Sequence, residues 1–323
     1  MKAAVLLLFV FFVPNAQASQ EPPRQARVAV SVADLRQEPS KPLPTLEQDP
    51  REESQLLYGD PVEILEEKEG WARVVAVDQP EYTHHKRWEG YPGWVESQNL
   101  LNGPKDWKPN LVVAAKLGRI FEEPRTDAPI KLIVSLGTSL VGAARKIPSS
   151  RDLWWELQLL DGSSGWIRAD EVITAERLFL LQKDAALLRK RLVENARLFL
   201  GDPYYWGGRS AHNPQETGPV HATVDCSGFI GLLYQANGLH IPRDAHEQWM
   251  LSKPVDPKKL LPGDLIFLHD PEDPDRIVHV MMSVGQDEII EAPGSGGLVR
   301  QMNFQERLKE ARRRRISFGT YIL

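Results

Sequence analysis

Apolar positions fall into short alternating stretches over the first half of the chain and into longer blocks over the second. Ala26-Arg27-Val28-Ala29-Val30-Ser31 alternates apolar with small or polar residues after a proline-rich lead, which predicts a strand. Residues 177–200 carry Leu, Ala, Arg and Glu without glycine or proline and predict one helix, ended by Gly201-Asp202-Pro203. From Cys226 the apolar spacing through Tyr234 predicts another helix, stopped at Asn237-Gly238. Leu265–Leu268 and Ile277–Val284 predict strands, and after a turn at Gly285-Gln286-Asp287 the stretch Glu288–Ala292 returns antiparallel. Ala3–Val13 is an unbroken apolar run, too short for the ~20 residues of a spanning helix. With Lys2 before it and Ala16-Gln17-Ala18 after it, residues 1–18 have the layout of an export signal, so a periplasmic or extracellular chain without a membrane span is expected.

Two stretches repeat one order of landmarks. The first has Leu35-Arg36-Gln37-Glu38-Pro39, Leu57-Tyr58-Gly59-Asp60, Trp71-Ala72-Arg73-Val74 and Gly93-Trp94-Val95. The second has Ile120-Phe121-Glu122-Glu123-Pro124, Ser135-Leu136-Gly137-Thr138, Trp155-Glu156-Leu157-Gln158 and Gly165-Trp166-Ile167. Between the last two landmarks the first copy runs 22 positions and the second 10, which places an insertion around Gln79–Gly90. Insertions fall in loops, and loops carry function. The 25 prolines, about 8% of the chain, favour short strands. The landmark order resembles bacterial SH3-type barrels, over residues 27–102 and 108–173 with Gly103-Pro104 as linker. Trp71, Trp94, Trp155 and Trp166 are expected in their cores.

At 323 residues the chain holds two domains, or three if some are small. Hydrophobic and charged shares of 42% and 26% are those of a globular protein, and a net charge of −5 gives no field to draw nucleic acid. The Arg312–Arg315 run reads as a solvated helix end. A single cysteine excludes an internal disulfide and leaves Cys226 as a free thiol. Asp225 and Ser227 flank it, unlike the surroundings of an inert apolar cysteine, and a helix N-terminus favours an anion there. A nucleophilic thiol needs a base and a third polar group to orient it. His279, embedded in an apolar strand, is the candidate base, and the turn brings Glu291 to a diagonal position on the same face. His84 and His85 fall in a polar loop of the first repeat, while His212, His221, His240, His246 and His269 lie in or beside turns. No metal site is expected.

The last segment resembles the NlpC-type cysteine peptidases, a papain-like superfamily of cell-wall hydrolases, over residues 186–323. The resemblance rests on Tyr205-Trp206-Gly207-Gly208, Asp225-Cys226-Ser227-Gly228, Ile241-Pro242-Arg243-Asp244, Pro262-Gly263-Asp264-Leu265, His279-Val280 and Glu291-Ala292-Pro293-Gly294. It implies an α+β papain-like catalytic domain preceded by two small all-β SH3-type barrels, with Cys226 as nucleophile, His279 as base and Glu291 as the third residue. The family often has histidine at that third position. Two such barrels ahead of this domain are similar to the γ-D-glutamyl-L-diamino acid endopeptidases. By that likeness murein stem peptides are the partner and no cofactor is needed. Asp60 and Tyr91 take the free amine of an L-Ala-γ-D-Glu-diamino acid peptide; Asp225, Ser227, Arg243 and Asp244 line the pocket, and Tyr205 adds a donor. Ala245 stands where a serine is common. A wall-binding protein without activity and an acyltransferase on the same fold are the alternatives.

Overall fold

A computed structural model describes residues 24–43, 49–102, 107–147, 153–211, 223–311 and 314–322. The export-signal segment, the Gly103-Pro104 linker, His212, His221, Arg312 and Arg313 lie outside the described residues.

The first unit contains strands β1 (Arg24–Val28), β2 (Val32–Arg36), β3 (Glu52–Leu57), β4 (Pro61–Lys68), β5 (Trp71–Glu81), β6 (Glu89–Glu96) and β7 (Leu100–Leu101). The second contains β8 (Leu111–Val113), β9 (Leu117–Phe121), β10 (Ile130–Ser135), β11 (Ser139–Lys146), β12 (Leu153–Gln158), β13 (Ser164–Arg168) and β14 (Val172–Thr174). Their sheet orders are β3-β2-β6-β5-β4-β1-β7 and β10-β9-β13-β12-β11-β8-β14, one order repeated seven strands later. The repeat extends to single turns. Gly59 and Gly137 both sit at φ +84°, a conformation that favours glycine, and Asp60 N–H and Thr138 N–H close the two turns onto Leu57 and Ser135 carbonyls.

Three of the four tryptophans depart from the sequence expectation. In β5 the inward positions are Ala72, Val74 and Ala76, and in β6 and β13 they include Val95 and Ile167. Strand alternation therefore turns Trp71, Trp94 and Trp166 to the other face, where they are half-buried, while Trp155 packs against the second core as expected. The cores are mainly aliphatic, and the buried tryptophans are Trp107 and Trp154.

The third unit places helices against the sheet β15-β20-β16-β17-β18-β19. Its strands are β15 (Lys253–Pro254), β16 (Leu265–His269), β17 (Ile277–Gly285), β18 (Glu288–Glu291), β19 (Arg300–Asn303) and β20 (Ile316–Thr320). The single helix expected over 177–200 is two, α1 (Ala175–Leu181) and α2 (Ala185–Arg197), because the Asp184 side chain accepts from Leu187 N–H and starts a new helix. Helices α3 (Cys226–Gln235), α4 (Ala245–Leu251) and α5 (Phe304–Glu310) follow. Helix α3 is buried along almost its whole length, and Leu57 and Leu136 of the two β units join the apolar core around it. The insertion seen in the first repeat is the long β5–β6 hairpin. It reaches the third unit, where Pro80 carbonyl accepts from Arg243 N–H at 3.0 Å and Thr83 hydroxyl bonds Glu247. Among the described residues no helix is long and apolar enough to cross a membrane.

Candidate active site

Asp225 caps α3, its Oδ1 accepting from Gly228 N–H at 2.6 Å and its Oδ2 from Gly207 N–H at 3.1 Å. This sets Cys226 in the first turn, partly exposed, beside helix amides that have no intrahelical partner. The helix start can come this close to the Tyr204–Gly208 loop because residue 228 is glycine; a Cβ there would lie 2.1 Å from Gly208 carbonyl oxygen.

His279 and Glu291 meet as diagonal neighbours. Strands β17 and β18 pair Met282 with Ile290 and Ser283 with Ile289, and His279 Nε2 lies 2.6 Å from Glu291 Oε2. Burial works against the imidazolium, but hydrogen bonds to Cys226 and Glu291 outweigh it and push His279 up to about 9. Burial likewise works against the Glu291 carboxylate. The His279 bond and the charge of Arg307 prevail and hold it down to about 2. The arrangement is an ion pair of imidazolium and carboxylate with the thiol on the imidazole's far side.

Glu291 is fully buried and carries more partners than the sequence suggested. Arg300, opposite it in the β18–β19 ladder, donates to Oε1 at 3.0 and 2.8 Å. Arg307, on α5, donates through Nε to Oε1 at 2.8 Å and Oε2 at 2.9 Å. A carboxylate thus stands at this position together with two guanidinium groups that an imidazole could not satisfy.

On the other side of the thiol, Arg243 is buried and fully engaged. It donates to Asp225 Oδ2 at 2.8 Å, Ser227 Oγ at 3.0 Å and Ser54 Oγ at 2.7 Å, tying the helix start to strand β3 of the first unit. Asp244 Oδ1 lies 3.6 Å from the same guanidinium. The Tyr91 hydroxyl lies 3.0 Å from Asp244 Oδ2 and 3.2 Å from Glu53 Oε2. Burial, Glu247 and Asp225 push Asp244 up against the pull of Arg243.

The structure therefore brings together Cys226, His279, Glu291, Asp225, Ser227, Arg243, Asp244 and Tyr91. Two predicted residues stand elsewhere. Asp60 is buried, accepts from Leu57 N–H at 2.9 Å and lies 3.6 Å from Arg209, so it closes a turn; Glu53 is the carboxylate beside Tyr91. Tyr205 is buried toward the charges of Glu52, Asp34 and Asp49 in the first unit, which together with burial push its phenol up. Its neighbour Tyr204 is the tyrosine pushed up by burial and then by Asp225 and Cys226. Glu53, Tyr204, Arg300 and Arg307 carried no signal in the sequence: Glu53 meets Tyr91 38 positions on, and Arg300 and Arg307 reach Glu291 from β19 and α5, elements that no sequence period announced.

Residues 201–315 match the NlpC/P60 family, so the C-terminal unit is an NlpC/P60 domain. The chain is 28% identical over 245 residues, 75% of its own length and 67% of the relative's, to a γ-D-glutamyl-L-lysine dipeptidyl-peptidase of Bacillus cereus. It is 32% identical over 111 residues to the peptidoglycan endopeptidase RipB of Mycobacterium tuberculosis, covering 33% of this chain and 44% of that one. The crystal structure of an NlpC/P60 family protein from Bacillus cereus superposes with a TM-score of 0.73 at 22% identity, covering 93% of this chain and all of that one, and shares the fold.

Proposed function

We propose that this chain is an exported cysteine peptidase of the bacterial cell wall that cleaves the bond between γ-D-Glu and the diamino acid of murein stem peptides whose L-Ala amine is free. The observation that carries the reading is the continuity of two walls across one thiol. Cys226, His279 and Glu291 form a nucleophile, base and orienting carboxylate on one side, and Tyr91, Asp244 and Glu53 line the other. The peptidase names of the relatives agree with it. We read the two β units as SH3-type modules over residues 27–102 and 108–173, the first of which supplies one wall of the site, and the catalytic domain as residues 186–323.

His279 holds the proton and keeps Cys226 as thiolate, which attacks the γ-carbonyl of D-Glu. The first-turn amide of α3 faces the developing oxyanion, with Tyr204 beside it. The imidazolium, held by Glu291, protonates the leaving amine, and water then hydrolyses the thioester with His279 again as base. At the other end the substrate ammonium meets the carboxylates of Glu53 and Asp244 and the Tyr91 hydroxyl. An acylated amine brings no positive charge to this acidic wall, so the same wall selects against uncut strands.

Incubating the purified protein with L-Ala-γ-D-Glu-L-diaminopimelate, its L-Lys counterpart and their N-acetylated forms tests this, with release of the diamino acid followed by mass spectrometry and Cys226→Ala as control. Cleavage confined to the free-amine peptides is the expected result. Cleavage of none of them by the parent protein overturns the peptidase reading, and equal cleavage of acetylated and free forms overturns the amine wall alone.

A further inference from the structure

We propose that the tip of the β5–β6 hairpin is a binding site for a divalent transition-metal ion of the zinc type, held by Glu81, His85 and Glu89. One donor atom from each residue lies within 4.8 Å of the other two. That spread surrounds an ion with 2.0–2.2 Å bonds, whose tetrahedral ligands stand about 3.4 Å apart.

Two independent features of the hairpin call for a cation. Glu81 and Glu89 are paired residues of the β5–β6 ladder, and like charges directly opposite one another destabilise a sheet. Glu81 is also fully buried, and its Oε1 has no hydrogen-bond partner in the structure. A buried carboxylate oxygen left unpaired is costly, and the donors at hand are used on the other oxygen: Oε2 receives His84 N–H at 3.0 Å and faces His84 Nδ1 at 3.0 Å. Glu89 repeats the division. Its Oε2 accepts from Arg87 Nε at 2.9 Å, while its Oε1 meets His85 Nδ1. Each carboxylate thus has one oxygen fixed by a neighbour, the support that ligands need from their surroundings; the other is unpartnered in Glu81 and meets His85 in Glu89.

Two carboxylates and a neutral imidazole suit a Zn2+ ion, with His85 on the exposed side leaving room for water as a further ligand. The ion would tie both strands and the loop between them at three points. That loop bonds Glu247 of α4 through Thr83 and sets His84 edge-on to Tyr91 at 5.0 Å, so an occupied site stiffens the contact between the first and third units.

The test uses untagged full-length protein carrying Cys226→Ala, which removes the thiol as a competing ligand, stripped with EDTA. Zn2+ is titrated calorimetrically, Co2+ is followed by its visible ligand-field bands, and thermal midpoints are read with and without Zn2+. The expected result is one ion per chain, a raised midpoint, and binding at least about tenfold weaker with His85→Ala or Glu89→Gln. His240→Ala, an exposed histidine outside the cluster, binds like the parent. Far-UV circular dichroism of the stripped variants establishes that each is folded. Absence of saturable binding in the Cys226→Ala protein, or parent affinity in either His85→Ala or Glu89→Gln, overturns the site.

Discussion

Glu291→Gln separates what the carboxylate charge does from what its shape does. The rise of His279 from 6.5 to about 9 corresponds to about 3 kcal/mol in favour of the imidazolium, and Cys226 and Glu291 share it. The depression of Glu291 from 4.5 to about 2 is largely the other end of the same coupling, so the two figures are not added. If half belongs to Glu291, losing the charge alone removes about 1.5 kcal/mol, roughly tenfold in the population of the active ion pair. Geometry makes the loss larger. Arg300 and Arg307 between them direct their hydrogen bonds at both carboxylate oxygens, and an amide has one oxygen to offer. The guanidinium groups hold that oxygen, the amide nitrogen turns to His279 Nε2, and the imidazole is locked with its proton on the wrong nitrogen. In a Ser-His-Asp triad the corresponding change costs about 10^4 in kcat. The expectation is a fall in kcat of about 10^3 or more at neutral pH with KM little altered, measured by diamino acid release from the free-amine peptide between pH 5 and 10. The parent's alkaline limb should lie near 9, where the imidazolium loses its proton, and the residual activity of the variant should fall off toward the ordinary histidine range. A variant within about threefold of the parent, with its alkaline limb unmoved, would refute both the ion pair and the clamp.

The same pair sets a stability window. His279, raised, contributes stability that is whole below 6.5 and lost as pH rises through about 9, and Glu291, lowered, contributes stability that is whole above 4.5 and lost as pH falls through about 2. Urea unfolding of parent and Glu291→Gln should therefore differ most between pH 4.5 and 6.5 and converge toward both extremes. Gly228→Ala forces α3 away from Gly208 carbonyl, costing about 1–3 kcal/mol and a thermal midpoint lower by several degrees, with activity reduced more than stability because the thiol moves with the helix start. Glu53→Gln should lower kcat/KM for the free-amine peptide about tenfold, roughly 1.4 kcal/mol, and leave the acetylated peptide unchanged; equal effects on both would remove Glu53 from the amine wall. Arg243→Ala leaves buried Asp225 without its cation and should cost about 3–5 kcal/mol in urea unfolding, a loss that would be absent if the Ser54 and Asp225 bonds were incidental.

What the sequence made legible follows from how far apart the partners lie. His279 and Glu291 are 12 residues apart across one tight turn, where a period of two and an antiparallel return fix which side chains share a face. Cys226 announces itself through a capping Asp225 and a helix that follows at once, again local chemistry. The contacts that join Tyr91 and Arg243 to their partners had no such signal. Tyr91 meets Asp244 across 153 positions and Arg243 meets Ser54 across 189, and the strand that supplies the first unit's side reads Glu-Glu-Ser-Gln. That run resembles a solvated loop, yet Glu52, Ser54 and Gln55 are buried. They are buried because each answers a group from elsewhere: Arg36 for Glu52, Arg243 for Ser54, and the Arg209 amide and Ser210 hydroxyl for Gln55. A strand that packs through hydrogen bonds leaves no apolar period to read, since its pattern is written in its partners. The misplaced acid has the same origin. Asp60 stood in a repeated landmark and drew attention to the turn it closes, while Glu53 lay seven residues earlier in a strand whose burial could not be inferred from hydrophobicity. Glu291 shows the converse: register places it beside His279, but why a carboxylate stands there becomes clear only when β19 and α5 deliver Arg300 and Arg307 onto it.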